Sequence, residues 1–571
     1  MAKFGERFLL GFTSPRNPRL LSEYVKVIKK YNLDGQNYDA DLQEKFYEML
    51  SKEQVAGVEA GNAKNKAFAG RDKLTRMPQA LGFFITQRNK KFRITEAGEL
   101  LQNNALFEDV MLHQVLKYQL PSVLHKEQES NKGCFKIKPF LELLRLIDKL
   151  GYLTYNEFLT YGMTLTNYEN FDEVVNNILN YRVERNIAKK NNTALRIFEH
   201  QNKINTFKVL YKDIIASGNI KTRESETKTV DEFVKKKMNN LSDYADSIFR
   251  VIQSTGLVIN SKGKSLQINP TRKNEVDYIL DNVSRDIMPI DMNREDFDKY
   301  ISNPRIPELL NDCSQNIINS MIELNGEYVD PNLDIYELKS KLNILREKKR
   351  IELINNQIVT LKVKKQKDID DILNTFNQIS NKEIEPASMR PTYYEWNVWR
   401  AMTMINHGDV QGNFIVDDMG NPISTAGGGK SDIIGDYGCF KIGVEVSLST
   451  GSKQYDMEGE PVNRHIGRLQ QEGPAFGIFI ADKLQDSVIN YFYTSSLINS
   501  NIYKGHVDVI PMNTSTFITF FKKAVKKNIQ PKDLYKIHEF SLKISKQTLL
   551  EGKTEKDWHN SVIDNMLNIV S

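Results

Sequence analysis

Two acidic residues flank a short turn in the C-terminal third of the chain. Asp432 adjoins the apolar pair Ile433 and Ile434, a glycine-containing turn follows at residues 435–438, and Glu445 lies within the next apolar strand. A charge buried in a strand is costly unless something pairs with it. A shared divalent cation explains both carboxylates most simply, and Mg²⁺ between carboxylates and a phosphate is the usual means of cutting a phosphodiester. The alternative is a hairpin with a surface aspartate and a rim glutamate.

The segments around this hairpin predict an α/β core for the C-terminal domain. The pattern predicts helices over residues 393–406 and 453–471 and from residue 514, and strands over residues 413–416, 476–481 and 506–511. With the hairpin in place, the order is helix, three strands, helix, strand. An antiparallel hairpin that feeds a mixed sheet is the expected arrangement.

This order resembles the PD-(D/E)xK nuclease fold, with two departures. Ser431 stands where a proline is usual, and Ser447 stands where the fold has a lysine. Since residues two apart on a strand face the same side, Ser447 occupies the lysine's place beside Glu445. The task of orienting the attacking water then needs another group. Glu458 and His465, seven residues apart, share a helix face if Pro461 does not interrupt the helix, although a packing role is the alternative for His465.

Length and composition predict a multidomain α+β protein. The chain has 571 residues, which corresponds to roughly three or four domains of ordinary size. It contains no apolar run long enough to span a membrane, and its first residues lack the core of a signal peptide. The three cysteines are far apart, which excludes a disulfide framework and fits a cytoplasmic protein.

Charge is distributed unevenly along the chain. Residues 1–282 carry ten more Lys and Arg than Asp and Glu, whereas residues 283–571 carry five fewer. The basic half is therefore the candidate for binding a polyanion. We predict four domains: DNA-recognition subdomains over residues 1–150 and 151–282, a helical linker over 283–385, and a nuclease domain over 386–571.

The densest basic segment runs from Lys64 to Arg93 and carries nine basic residues against one acid. It leads into a predicted short strand and a helix capped by Thr95, which resembles the wing and following helix of winged-helix DNA-binding domains. A weaker copy of the pattern, a hairpin and then a helix from about Thr271, predicts a second winged-helix-like module. A solvated basic face without a ligand is the alternative.

Longer phrases extend the resemblance to most of the chain: "TSPRNP", "FRITEAGELL", "YYEWNVW", "GNFIVDDMGNPISTAGGGKSD", "GVEVSLSTGSKQYDMEGEPVNRH" and "FGIFIAD". Together they resemble the AlwI-like family of type IIS restriction endonucleases and related nicking endonucleases. The resemblance implies a Mg²⁺ enzyme that reads an asymmetric duplex site and cuts outside it. It places the catalytic residues at Glu395, Asp432, Glu445, Glu458 and His465, with Asp432, Glu445 and Glu395 as metal ligands.

The basic segment and the first phrase supply the candidate DNA contacts. Arginines commonly read guanine, so Arg71 and Arg76 are the favoured specificity residues. The full set of predicted DNA-binding residues is Arg16, Arg71, Lys73, Arg76, Arg88, Lys91 and Arg93.

Three functions remain open at this stage. The leading prediction is a Mg²⁺-dependent endonuclease, of type IIS or nicking character, whose single catalytic centre cuts one strand. Double-strand cleavage then needs a transient homodimer or a second nuclease subunit. The alternatives are a DNA-binding transcriptional regulator with a non-catalytic nuclease-like domain, and an RNA-processing nuclease. Salt-dependent binding to duplex DNA rather than RNA separates the last of these.

Overall fold

The Glu445 segment is the central strand of a five-stranded sheet in the computed structural model of the chain. The chain divides into two compact units, residues 1–349 and 350–571. The structure describes residues 2–4, 8–9, 12, 14–58, 65–129, 132–191, 195–218, 220, 229–261, 265–325, 330, 332–384, 389–405, 408–425, 430–451 and 454–571.

The N-terminal unit is mostly helical, with short strands between the helices. Its α-helices include Leu20–Lys30, Ala40–Lys52, Lys66–Leu74, Glu96–Leu100, Phe107–Lys117, Pro139–Leu150, Tyr155–Thr160, Phe171–Lys190, Leu195–Leu210, Lys212–Ala216, Val230–Gln253, Lys273–Asn282, Arg294–Ser302 and Ser314–Asn325. Its strands include Ala2–Phe4, Phe84–Ile85, Arg93–Ile94, His125–Glu127, Leu153–Thr154, Val258–Ser261 and Ser265–Ile268. In the described part of the chain, no helix is long and apolar enough to cross a membrane.

The short strand and the Thr95-capped helix predicted at the end of the basic segment both form, and the strand is one arm of a hairpin. Phe84–Ile85 and Arg93–Ile94 pair antiparallel, and the Thr95 hydroxyl accepts a hydrogen bond from the amide of Gly98 at 3.2 Å. The cap satisfies one of the free amides at the start of the helix Glu96–Leu100.

The hairpin predicted to precede the helix from about Thr271 is confirmed. Val258–Ser261 and Ser265–Ile268 pair antiparallel, and Leu153–Thr154 joins the other edge of Ser265–Ile268 to give a three-stranded sheet. A short 3₁₀ turn, Pro270–Arg272, leads into the helix Lys273–Asn282.

The linker predicted over residues 283–385 contains two long helices. The helix Ile335–Lys362 spans 28 residues and contains the boundary between the two units, and Gln366–Ser380 follows it. Whether this region acts as a spacer or only as packing surface, and the division into four domains, stay predictions.

The C-terminal unit contains the mixed sheet that the sequence predicts. Its strand order is Val509–Asn513, Ala475–Ala481, Lys441–Ser447, Ile433–Asp436, Asp409–Gly412. The first three strands are mutually parallel and the last two add antiparallel. Helices Arg390–Ile405, Glu460–Glu472, Asp486–Leu497, Thr514–Lys527, Pro531–Leu550 and Glu555–Ile569 complete the described part of the unit.

One predicted strand forms but does not join the large sheet. The sequence pattern assigns the first strand of the sheet to residues 413–416, but the sheet uses Asp409–Gly412. Phe414–Val416 instead pairs with Pro422–Thr425 as a separate hairpin. Residues 409–412 (Asp, Val, Gln, Gly) contain one apolar residue, whereas residues 414–416 are all apolar, so an apolar pattern favours the wrong one of the two for the larger sheet.

Two glycines allow a helix to pack closely on the sheet beside Glu445. Gly443 and Gly477 are register partners on adjacent strands. A Cβ at Gly443 would lie 2.4 Å from the Cδ1 of Ile466, and one at Gly477 would lie 2.7 Å from its Cγ1. The helix Glu460–Glu472 therefore approaches the sheet through Ile466, and His465 is carried to the same place.

Candidate active site

Asp432 and Glu445 are joined by reciprocal contacts. Asp432 directly precedes the strand Ile433–Asp436, whose register pairs Ile433 with Val444. The Asp432 carboxylate accepts a hydrogen bond from the amide of Val446 at 2.8 Å, and the Asp432 amide donates to the Glu445 carboxylate. The hairpin itself therefore fixes both carboxylates at one end of the strand pair.

Glu395 brings a third buried carboxylate to this point from the helix Arg390–Ile405. Its side chain is 7% exposed, and its Oε2 is buried without a hydrogen-bond partner. Burial raises the pKa of Glu395 well above its ordinary value, and the charges of Asp432, Glu445 and Glu458 raise it further. An unpartnered buried carboxylate oxygen is unfavourable and needs a ligand or a proton.

The carboxylates are poorly stabilised as anions in the protein alone. Burial raises the pKa of Glu445 to about 8, with a contribution from the charge of Glu458. The pKa of Asp432 is also well above its ordinary value, because of burial and then of the charge of Glu445. A bound cation would reverse both effects, since it favours the ionised form of each carboxylate.

Glu458 and His465 reach the cluster from a helical segment with an irregular start. The chain forms a π turn over Tyr455–Gly459 before the regular helix Glu460–Glu472, and Pro461 lies in the first turn of that helix. The helix predicted over residues 453–471 therefore forms from residue 454 onward, with π rather than α pitch at its start, and residue 453 lies outside the described residues. Proline is tolerated at this position because the first turn needs no amide donor.

The two residues have different partners. The Oε1 of Glu458 accepts a hydrogen bond from the hydroxyl of Ser447 at 2.6 Å and from that of Ser449 at 3.2 Å. The Nδ1 of His465 lies 2.8 Å from the Oε1 of Glu445. Burial lowers the pKa of His465, because it disfavours the charged form of the ring.

The donor set fits Mg²⁺, although it is not assembled as a finished site. Among the described residues, no three His, Cys, Asp or Glu side chains are arranged as a complete set of metal ligands. The groups that do converge are carboxylate oxygens, which are the ligands Mg²⁺ prefers. The unpartnered Oε2 of Glu395 supplies an acceptor without another use.

The predicted DNA-binding residues fall into two groups. Arg16 is paired with Asp243 at 3.1 Å, and Arg76 with Asp72 at 2.7 Å. Arg71 also reaches Asp72, at 3.5 Å. These arginines are engaged with acids of the same unit.

The hairpin formed by Phe84–Ile85 and Arg93–Ile94 carries the other group. Arg88, Lys91 and Arg93 are exposed on it, and none of them forms an ion pair among the described residues. Lys73 is half-buried and donates to the carbonyl of Gly57 at 3.2 Å. Lys64, the first residue of the basic segment, lies outside the described residues.

Comparison with known proteins identifies the family. The family model described as AlwI restriction endonuclease matches residues 79–520, which is most of the chain and includes the whole carboxylate cluster. The chain belongs to the AlwI restriction endonuclease family. Its members are site-specific deoxyribonucleases, so the chain is a DNA-binding nuclease in its general class.

Two solved structures are similar to parts of this AlwI-family chain. The small subunit of the heterodimeric restriction endonuclease R.BspD6I is 27% identical over 34% of this chain and 98% of its own, with a TM-score of 0.28. The BpuJ1 endonuclease binding domain, solved with pyrene- and phenanthrene-modified DNA, is 13% identical over 50% of this chain and 92% of its own, with a TM-score of 0.30. No curated protein matches the chain.

Three residues near the cluster were not assigned a role from the sequence. The sequence pattern marks Ser447 only as the replacement for a lysine and gives no role to Ser449 or Gln454. Their positions depend on how the chain turns after the strand Lys441–Ser447. Register alone could have suggested Ser447, because it shares a strand face with Glu445, but no sequence pattern points to Gln454.

Proposed function

We propose that this AlwI-family chain is a Mg²⁺-dependent endonuclease of type IIS or nicking character. In this proposal it binds a short asymmetric duplex site and hydrolyses a phosphodiester a short distance outside it. The observation that carries the proposal is that buried Glu395, half-buried Asp432 and buried Glu445 are neighbours: the charges of Asp432 and Glu445 raise the pKa of Glu395, and the charge of Glu445 raises that of Asp432. A protein without a cation to bind has no evident use for three such carboxylates that oppose one another's ionisation.

The metal ligands in this proposal are Asp432, Glu445 and Glu395. Bound there, Mg²⁺ would polarise the phosphate and lower the pKa of a bound water. The PD-(D/E)xK assignment of the domain is part of the same proposal. It is supported by the hairpin that carries Asp432 and Glu445 and by the parallel strands beside it.

The remaining residues act on water and on carboxylate orientation. The Oε1 of Glu458 is held by two hydroxyls, so we assign Glu458 to position the attacking water and accept its proton. The contact between His465 and Glu445 assigns His465 to orient that carboxylate. The sequence predicted that His465 would act on water together with Glu458, and the contacts favour separate tasks.

DNA recognition is assigned to the N-terminal unit, with winged-helix-like subdomains over residues 1–150 and 151–282 and a linker over 283–385. The supporting features are the hairpin of Phe84–Ile85 and Arg93–Ile94 with the capped helix that follows it, and the three-stranded sheet with its following helix. Arg88, Lys91 and Arg93 are the leading candidates for DNA contact because binding need not break an existing ion pair. Arg16, Lys73, Arg71 and Arg76 are secondary candidates.

A single carboxylate cluster hydrolyses one phosphodiester per event. Cleavage of both strands therefore requires a second cluster, which a transient homodimer or a separate nuclease subunit would supply. A chain that acts alone would nick.

The test is the conversion of supercoiled plasmid by purified protein with Mg²⁺. Asp432→Ala and a reaction with EDTA are expected to leave the plasmid intact, whereas Asp436→Asn, on the same strand but outside the cluster, should cleave normally. Linear fragments would indicate double-strand cleavage, and open circles alone would indicate a nicking enzyme. Tight DNA binding without any cleavage would reject the proposal and favour a DNA-binding regulator.

A further inference from the structure

Glu458 is held by one of its two carboxylate oxygens. The hydroxyls of Ser447 and Ser449 both donate to Oε1, at 2.6 and 3.2 Å. Among the described residues, no hydrogen bond to the other oxygen, Oε2, is present. The side chain is thus fixed at one end and has a free acceptor at the other, which is the arrangement required of a group that receives a proton from water.

The orientation of the Ser447 hydroxyl is itself determined. Ser447 is 5% exposed, and its oxygen accepts a hydrogen bond from the amide of Ser449 at 3.0 Å while its proton points to Glu458. A hydroxyl has one proton to donate, so this one is committed to the glutamate. A serine cannot supply the positive charge of an ammonium group at this position, and its contribution must therefore pass through Glu458.

Gln454 fixes the loop that carries Ser449. Its side chain is fully buried, and its amide nitrogen donates to the carbonyls of Ser449 at 2.9 Å and Lys483 at 2.8 Å. Its oxygen accepts from the amide of Gln485 at 2.9 Å. Because leaving such a buried amide unpaired costs about 1–3 kcal/mol, the loop is anchored to the segment that follows the strand Ala475–Ala481.

From these contacts we infer that Ser447 and Ser449 are positioning residues for Glu458, and that this pair of hydroxyls with a carboxylate takes over the water-arranging task of the missing lysine. The inference rests on the proposed endonuclease function. In the hydrolysis, the water oxygen forms the new bond to phosphorus and the bond from phosphorus to the leaving oxygen breaks. The water proton passes to the Oε2 of Glu458, and the leaving oxygen takes a proton from solvent.

The test compares single-turnover cleavage of a plasmid that the wild-type chain cuts. Ser447→Ala should lower the rate constant roughly 10- to 100-fold, the range seen when a hydrogen-bond partner of an active-site group is removed. The enzyme concentration that gives half the maximal rate should change less than about twofold, since the serine does not contact DNA in this scheme. Ser447→Thr, which keeps the hydroxyl, should restore most of the rate.

Two further variants separate positioning from a structural role. In a Glu458→Gln background, Ser447→Ala should cause almost no further loss of cleavage rate, because Ser447 is inferred to act through the Glu458 carboxylate. Ser449→Ala, at a half-buried position, should give a smaller loss in the same direction. Ser496→Ala removes another buried serine hydroxyl, one that donates to the carbonyl of Tyr493 in its own helix, and should cleave normally.

The outcomes distinguish this inference from the proposed function. If wild-type protein cleaves but Ser447→Ala and Ser449→Ala match it, the positioning role is rejected while the endonuclease stands. A full loss from Ser447→Ala that persists in the Glu458→Gln background also rejects it, because the serine then acts elsewhere. If wild-type protein does not cleave with Mg²⁺, the proposed function fails and this inference fails with it.

Discussion

Replacing Glu445 with glutamine should stabilise the metal-free protein and abolish its activity. Glu445 is 6% exposed, and burial raises its pKa from 4.5 to about 8. The folded state therefore binds a proton more tightly than the unfolded chain does. This contribution favours folding fully below pH 4.5 and is lost as the pH rises through about 8.

The expected gain in stability follows from the raised pKa of Glu445. A pH of 7 is about 2.5 units above the pKa of Glu445 in the unfolded chain. At about 1.4 kcal/mol per unit, this difference corresponds to about 3 kcal/mol of lost stability. Glutamine has no charge to bury, and its oxygen still accepts the hydrogen bond from His465. For a unit of 222 residues, a gain of this size raises the unfolding midpoint by roughly 6–12 °C.

The assay is thermal unfolding of both proteins in EDTA between pH 5 and 8, followed by addition of Mg²⁺. The wild-type midpoint should fall with pH more steeply than that of Glu445→Gln, and Mg²⁺ should raise the wild-type midpoint more, since it binds the folded carboxylates. Glu472→Gln, which changes an exposed glutamate paired with Lys441, should alter neither property. A variant that is less stable than wild type in EDTA, or that still cleaves DNA, would refute the reasoning.

Three other changes test separate parts of the molecule. Changing Arg88 and Arg93 together to alanine should weaken duplex DNA binding and reduce the slope of log affinity against log salt by about two, as measured by anisotropy titrations at several salt concentrations. Glu275→Gln should cost about 3 kcal/mol in urea unfolding because it removes the nearer of the two carboxylates, Glu275 and Glu108, that pair with the buried Arg272. In the wild type, burial opposes ionisation of Glu275, but its arginine neighbours outweigh burial and lower its pKa to about 2. That stabilisation is therefore complete above pH 4.5, and about 3 kcal/mol is lost as the pH falls towards 2. His465→Ala should lower cleavage roughly 10- to 100-fold and raise the Mg²⁺ concentration needed for half-maximal rate; an unchanged Mg²⁺ dependence would contradict its orienting role.

The sequence by itself determined the features that depend on near neighbours in the chain. Alternation and turn residues placed Asp432 and Glu445 on the two arms of one hairpin, and the Thr95 cap followed from its helix-start pattern. Ordered phrases along the chain gave the family, which the match over residues 79–520 confirms. These signals are local, so each can be read without knowing the rest of the fold.

The tertiary structure decided which distant groups meet. It assigned the outer strand of the sheet to Asp409–Gly412, placed a π turn before Pro461, and joined His465 to Glu445 rather than to Glu458. Contacts of this kind depend on how helices and strands pack, and packing is set by side-chain volume across segments that are far apart in sequence. Periodicity along one segment carries no information about its distant partners, so only the folded chain shows that two serines hold Glu458.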